Sequence, residues 1–270
     1  MVAPDRGEGE MELELKGKVA LITGSSRGIG RAIAEFLAAE GCRVMLTGRD
    51  AAALRESAQA IAAVGAEVRS VVAELRDAQA PAALIEAVKR DFGRLDILVN
   101  NAGATKRGDF LALTDADWQD GFALKFFAHM RLVRAAWPLL KSTGGAILAI
   151  GGNGAARPSA DFTIGSSVNA SVAAFHKALA DIGKRDGIQV NTIHPGHVDT
   201  DRMRRQMRAR MEKSGLDMAA QIEAYRRELN VPRLGLPGDV AALAAFILSP
   251  RGRWLHGATI IMDGGEIDML

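Results

Sequence analysis

Short apolar runs alternate with helix-like segments along most of the chain. Each run has four to seven residues and the largely apolar composition of a strand covered on both faces of a sheet. Their positions are 19–23, 43–47, 67–73, 95–100, 146–150, 189–193 and 259–262. The longest helical segments are expected at 115–141 and from about 160 to 185. Because the connections are short, this alternation predicts a doubly wound α/β fold with a seven-stranded parallel sheet.

Two segments depart from the alternation. Residues 1–15 carry acids and no apolar core, so we expect a flexible N-terminal tail before a single domain at 16–270. Residues 201–233 are charged and rich in methionine, and they have no strand pattern. They predict a small helical lobe that covers the substrate, with a solvated surface hairpin as the alternative.

Composition excludes several classes of protein. The formal net charge is +2 and the basic residues are dispersed, which gives no argument for nucleic acid. No run of 18 apolar residues predicts a membrane span, and no apolar segment near the start resembles a signal peptide. The single cysteine, Cys42, lies in an apolar run and is expected to be a buried structural thiol in a reducing cytoplasm.

The sequence TGSSRGIG at 23–30 stands between the first predicted strand and a helix-like segment. Gly24 permits a tight turn, Gly28 allows close approach of a pyrophosphate, and Gly30 lets the helix pack closely on the strand. The free N–H groups at the start of the helix would face the anion. These features predict a dinucleotide site.

Four ordered motifs together resemble the short-chain dehydrogenase/reductase family: TGSSRGIG, NNAG at 100–103, GIQVNTIHPGHVDT at 187–200 and MDGG at 262–265. The resemblance covers residues 16–266. It implies a Rossmann-type fold, hydride transfer between a nicotinamide cofactor and a carbonyl or alcohol, a small-molecule substrate, a cytoplasmic location and a homotetramer or dimer. The cofactor contacts that it implies are Gly24, Ser26, Arg27, Gly28, Ile29, Gly30, Arg49, Glu74, Leu75, Asn101, Ala102, Gly103, Pro195, Gly196, Val198 and Thr200.

Cofactor choice follows from charge. NAD-preferring relatives carry an acid after the second strand, where this chain has Gly48 followed by Arg49; Arg27 lies inside the glycine loop. Without a carboxylate for the ribose 2′-hydroxyl, and with two guanidinium groups for a 2′-phosphate, NADP(H) should bind better than NAD(H). Each arginine alone could be an ordinary surface charge.

The catalytic positions depart from the family. Relatives use a Tyr and a Lys four residues later on one helix, together with a Ser and an Asn. The family spacing puts those positions at Gly165, Asn169, Gly152 and Lys125, in that order. All four are changed, although a cation and an amide remain, at Lys125 and Asn169.

Two interpretations compete. In the first, Lys125 and Asn169 form a non-standard site, with volume opened by Gly152 and Gly165 and a lysine whose lowered pKa lets it carry a proton. In the second, the protein is a catalytically inactive regulatory or scaffold protein that binds nucleotide; Lys125 could also be a solvated surface lysine. His194 and His197 have a metal-like spacing, but no third ligand is evident, so no metal is expected. Tyr225, the one tyrosine, is expected to be exposed in the lobe.

Overall fold

The computed structural model describes residues 11–268. The predicted tail lies mostly outside this range, at residues 1–10. Within the range, Leu15 is buried and Leu13 packs against the core. These two leucines of the predicted tail therefore dock on the domain.

Seven parallel strands form one sheet, as predicted, and their order is β3-β2-β1-β4-β5-β6-β7. Their bounds are β1 Val19–Thr23, β2 Arg43–Gly48, β3 Val68–Val72, β4 Ile97–Asn100, β5 Ala146–Ile150, β6 Gln189–Pro195 and β7 Thr259–Met262. Every residue of β1, β4, β5 and β6 is buried. The strand order reverses between β1 and β4, so their carboxyl ends border the crevice where doubly wound folds bind ligands.

Helices cover both faces of the sheet. Their bounds are α1 Gly28–Ala39, α2 Ala51–Ala62, α3 Ala80–Phe92, α4 Asp115–Phe122, α5 Ala128–Thr143, α6 Thr163–Asp186, α7 Asp201–Ser214, α8 Met218–Glu228 and α9 Pro237–Leu248. The core under α1, α2 and α9 includes Cys42, whose thiol is buried as predicted; this burial raises its pKa to about 12. A second core lies under α3, α5 and α6.

The long helix predicted at 115–141 is interrupted. A capping box between Thr114 and Asp117 begins α4, and a π-helical turn at Ala123–Phe127 joins it to α5. One face of α5 is fixed against the sheet by buried side chains that include Leu132 and Leu140. The π turn therefore joins two helical segments whose orientations are set by different contacts.

The segment 201–233 contains two helices, α7 and α8, with a small apolar cluster between them. Met203, Met207, Tyr225 and Leu234 are its buried members. The prediction of an exposed Tyr225 is wrong, because its ring packs into this cluster with a T-shaped contact to His197.

Candidate active site

The glycine loop has the backbone that a phosphate-binding turn requires. Gly24 and Gly28 have φ angles of 65° and 59°, the left-handed region that favours glycine. A side chain at Gly30 would overlap the Gly24 carbonyl oxygen and the Asn101 amide. Helix α1 begins at Gly28 with no side-chain cap, so its first N–H groups are available to an anion.

Other predicted cofactor segments meet this loop. The Asn101 side-chain amide donates to the carbonyl oxygens of Thr23 at 2.9 Å and Gly24 at 3.2 Å. The backbone N–H groups of Asn101 and Ala102 donate to the Thr23 hydroxyl at 2.9 and 3.0 Å. A Cβ at Gly28 would lie 3.5 Å from Thr200 Cγ2. The loops after β1, β4 and β6 therefore border one groove.

The arginines predicted to read the 2′-phosphate lie at the end of β2. Arg27 donates to Asp50 at 2.7 Å, and Arg49 donates to Glu74 at 3.3 Å. The two arginine side chains are 46% and 61% exposed, so both can reach a ligand in solvent. Exposed pairs of this kind contribute little stability and can exchange partners. Ser26 lies beside Gly48, 3.2 Å from a Cβ placed there.

A cavity of about 180 Å³ opens next to the groove. Among the residues that line it are the predicted Ile29, Lys125, Gly152, Asn169, Pro195, Gly196, Val198 and Thr200. Lys125 and Asn169, which lie on different helical segments, thus line the same cavity as the loop that follows β6.

Lys125 is buried inside this site, so the surface-lysine alternative is wrong. Its ammonium donates to the Gly151 carbonyl oxygen at 3.1 Å. Its stem lies against Gly103, where an added Cβ would come within 2.8 Å of Lys125 Cδ. Burial, together with the charge of Arg202, lowers the pKa of Lys125 from 10.5 to about 7. Near neutral pH this group exchanges protons readily.

Asn169 lies beside Gly152. A Cβ at Gly152 would be 3.2 Å from the Asn169 side-chain nitrogen, so the absence of a side chain there leaves room for this amide. Within residues 11–268, no group donates a hydrogen bond to the buried Asn169 Oδ1. A buried acceptor without a donor is costly, which makes it a plausible contact for a ligand.

The prediction that Gly165 leaves open volume in the site is wrong. The ring of Phe162, one turn earlier, occupies the direction that a side chain at residue 165 would take. Arg107 covers this ring, with its guanidinium carbon 3.8 Å from the ring centroid. The sequence analysis missed Phe162 and Arg107; an aromatic residue three positions before the vacant tyrosine position was the available signal.

The two histidines near Pro195 bind protein groups. His194 Nδ1 accepts from the Gly152 N–H at 2.9 Å, and burial lowers its pKa to about 4. His197 Nδ1 lies 2.8 Å from Glu266, whose other oxygen accepts from the Asn153 amide at 2.8 Å. Burial opposes ionisation of Glu266, but these contacts hold its pKa below the usual range. Glu266 directly follows the MDGG motif, a position that the sequence analysis did not use.

Residues 11–268 also bear on the expectations about metals and membranes. No group of three or more His, Cys, Asp or Glu side chains in that range is placed to hold a metal ion. No helix there is both long and apolar enough to cross a membrane.

Comparisons with known proteins show that this chain is similar to several reductases. A family profile described as enoyl-(acyl carrier protein) reductase matches residues 24–266. The chain is 33% identical over 261 residues to the 3-oxoacyl-(acyl-carrier-protein) reductase FabG of Escherichia coli (strain K12), covering 94% of this chain and 98% of the relative.

Solved structures of oxidoreductases have the same fold as this chain. The L-sorbose reductase of Gluconobacter frateurii, complexed with NADPH and L-sorbose, superposes with a TM-score of 0.93 at 32% identity and covers 96% of this chain and 100% of its own. An NADPH-bound short-chain oxidoreductase of Pseudomonas aeruginosa PAO1, described as containing an atypical catalytic center, has a TM-score of 0.87 at 31% identity. That match covers 94% of this chain and 98% of the Pseudomonas chain.

Proposed function

Since this chain belongs to the short-chain dehydrogenase/reductase family, we propose that it is an oxidoreductase that uses NADP(H) to reduce a carbonyl compound or oxidise the corresponding alcohol through a non-standard catalytic site. The buried Lys125 in the cavity is the observation that carries this proposal. NADP(H), when bound, supplies or accepts the hydride.

The groove fits such a cofactor. The positive φ angles of Gly24 and Gly28 and the uncapped start of α1 suit a pyrophosphate. Arg27 and Arg49 would exchange their exposed carboxylate partners for the 2′-phosphate, which favours NADP(H) over NAD(H). Thr200, beside Gly28, would border the pyrophosphate.

Lys125 would take the role of the missing tyrosine. In the reducing direction, its ammonium gives a proton to the carbonyl oxygen of the substrate as that carbon receives hydride, and the neutral amine regains a proton from water. A pKa near 7 suits a group that must both release and regain a proton at neutral pH. Asn169 would orient the bound ligand, because its side chain lines the same cavity and its buried oxygen accepts no hydrogen bond within residues 11–268.

A second function is favoured by one observation. The Phe162 ring fills the direction of the usual tyrosine, as expected for a protein that binds nucleotide without turnover. In that case the preserved cofactor groove would serve a regulatory or scaffold role. The homotetramer or dimer and the cytoplasmic location also remain predictions.

Lys125→Met tests the choice between the two functions, because it removes the charge and keeps the apolar stem. NADPH oxidation is measured with a panel of carbonyl compounds, and NADPH binding is measured in parallel. We expect wild-type reduction to slow as the pH rises through about 7, where Lys125 loses its proton, and Lys125→Met to abolish turnover. Binding without turnover in the wild type, unchanged in Lys125→Met, would favour the inactive alternative.

The reverse test restores the usual residues. The variant combines Gly152→Ser, Gly165→Tyr and Asn169→Lys. The tyrosine at position 165 would overlap the Phe162 ring, so Phe162→Ala is added to make room for it. If this variant gains reductase activity while the wild type has none, the protein has lost its chemistry and kept only its groove.

A further inference from the structure

The cavity next to the groove has an unbalanced charge. Lys125, Arg107 and Arg202 line it, whereas no Asp or Glu among the described residues does. A concave wall with charges of one sign concentrates the electric field and attracts small ions of the opposite sign. The neutral parts of the wall are glycines, apolar side chains and amides or hydroxyls.

The two arginines keep unused donors. Arg202 donates to the Gly103 carbonyl oxygen at 3.3 Å, and within residues 11–268 no carboxylate pairs with it. Arg107 donates from one nitrogen to Asp161 at 2.9 Å, and this aspartate side chain is 64% exposed. Each guanidinium group has five N–H donors, so both can bind a further acceptor.

Arg107 lines the cavity that Ile29 and Thr200 also border, but it approaches from the side of α6. Its loop is held to the start of α6, because the Gly108 N–H donates to the Asp161 carbonyl oxygen at 3.0 Å and the Arg107 side chain stacks on Phe162. Arg27 and Arg49 serve the opposite end of the groove, at β2. The charge of Arg107 is therefore available to the substrate rather than to the phosphates of the cofactor.

We propose that the substrate carries a carboxylate or phosphate group that binds the guanidinium of Arg107, with Arg202 as the second cation. Arginine binds both groups with paired N–H donors, which fixes their orientation as well as their charge. An anion in this cavity would also favour the protonated form of Lys125. The inference rests on the proposed function, which supplies the carbonyl chemistry.

Two matched pairs of probes test the charge preference. Acetoacetate is compared with methyl acetoacetate, and dihydroxyacetone phosphate with dihydroxyacetone. Binding to the NADP⁺-saturated protein is measured by calorimetry at low ionic strength, and NADPH oxidation is followed separately. Arg107→Met removes the charge, and Lys106→Met is the control, because Lys106 pairs with Asp117 at 2.9 Å and does not line the cavity.

We expect at least one charged probe to bind tenfold or more tightly than its neutral partner. Arg107→Met should reduce that ratio to less than twofold, and Lys106→Met should leave it unchanged. The preferred pair distinguishes a carboxylate substrate from a phosphate substrate. The proposal would be overturned by equal binding within both pairs, by no binding of any probe, or by equal effects of the two variants.

Turnover separates this proposal from the function on which it rests. Charged probes that bind preferentially but are never reduced would support the anion site and contradict the reductase. Reduction of the neutral and charged probes with equal efficiency would support the reductase and contradict the anion site.

Discussion

Lys125→Met should make the folded protein more stable at neutral and mildly acidic pH, even as it removes the group that we assign to proton transfer. Lys125 is buried, and its ammonium donates to a single carbonyl oxygen in the described part of the chain. A buried cation without a carboxylate partner costs free energy, whereas a methionine of similar length keeps the packing against Gly103.

The pKa of Lys125 gives the size and the sign of this effect. Its pKa is 10.5 in an exposed lysine and about 7 in the fold. Between these values the unfolded chain holds more protons than the folded protein, so wild-type stability rises with pH across this window. Each pH unit corresponds to about 1.4 kcal/mol, and the full penalty below pH 7 is on the order of 5 kcal/mol.

Urea unfolding followed by circular dichroism, without cofactor, measures the effect. From pH 6.5 to 9.5 the stability advantage of Lys125→Met over the wild type should shrink by about 3 kcal/mol. Lys213→Met, which removes an exposed lysine from α7, serves as the control and should show no such trend. A difference between Lys125→Met and wild type that stays constant with pH, or a variant that is less stable at pH 6.5, would refute the assigned burial of the charge.

Three further predictions concern the groove and the lobe. Arg49→Ala should weaken NADPH binding by about 1.5 to 3 kcal/mol, since the lost contact is charge-assisted, and should have little effect on NADH binding. Equal losses of NADPH and NADH affinity in fluorescence titrations would exclude a role of Arg49 in binding the 2′-phosphate. Gly30→Ala should destabilise the fold by about 1 to 3 kcal/mol, because the added Cβ would overlap the Gly24 carbonyl oxygen and the Asn101 amide. The same overlap should weaken NADP(H) binding. Unchanged thermal unfolding and unchanged binding would contradict this packing. Residues 201–233 should exchange amide hydrogens quickly without ligand and more slowly with NADPH, because a small apolar cluster and exposed polar pairs such as Arg210–Glu228 hold the two helices together. Slow exchange that NADPH leaves unchanged would argue against closure.

The sheet could be predicted because its signal is local. Strands buried on both faces are continuous apolar runs, and β1 and β5 begin and end at the predicted residues. The edge strand β7, which is only partly buried, also has the predicted bounds. The family spacing also identified Lys125 as a candidate from the sequence. Its hydrogen bond to Gly151 could not be predicted, because 26 residues separate the two in the chain.

The packing around Gly165, the usual tyrosine position, could not be predicted from the sequence. Sequence shows that Gly165 lacks a side chain, but it does not show which neighbour takes the space. Phe162 occupies it because the helix begins at Thr163, so residue 162 turns its ring back over the first turn. The ion pairs of Arg27 and Arg49 were also absent from the sequence interpretation, because each depends on which acid the fold brings alongside.

The π-helical turn at Ala123–Phe127 gives α4 and α5 separate rotational phases. One residue advances an α-helix by about 100°, so deleting a residue within the turn should produce one continuous helix and rotate α4 by that angle relative to α5. Burial of Leu132 and Leu140 would hold α5 in place, and the rotation would fall on α4 and its connection to the cavity. Because Lys125 lies within this turn, the same deletion would also move the lysine away from its place in the cavity. The π turn therefore sets the direction of Lys125 independently of the packing of α5 on the sheet.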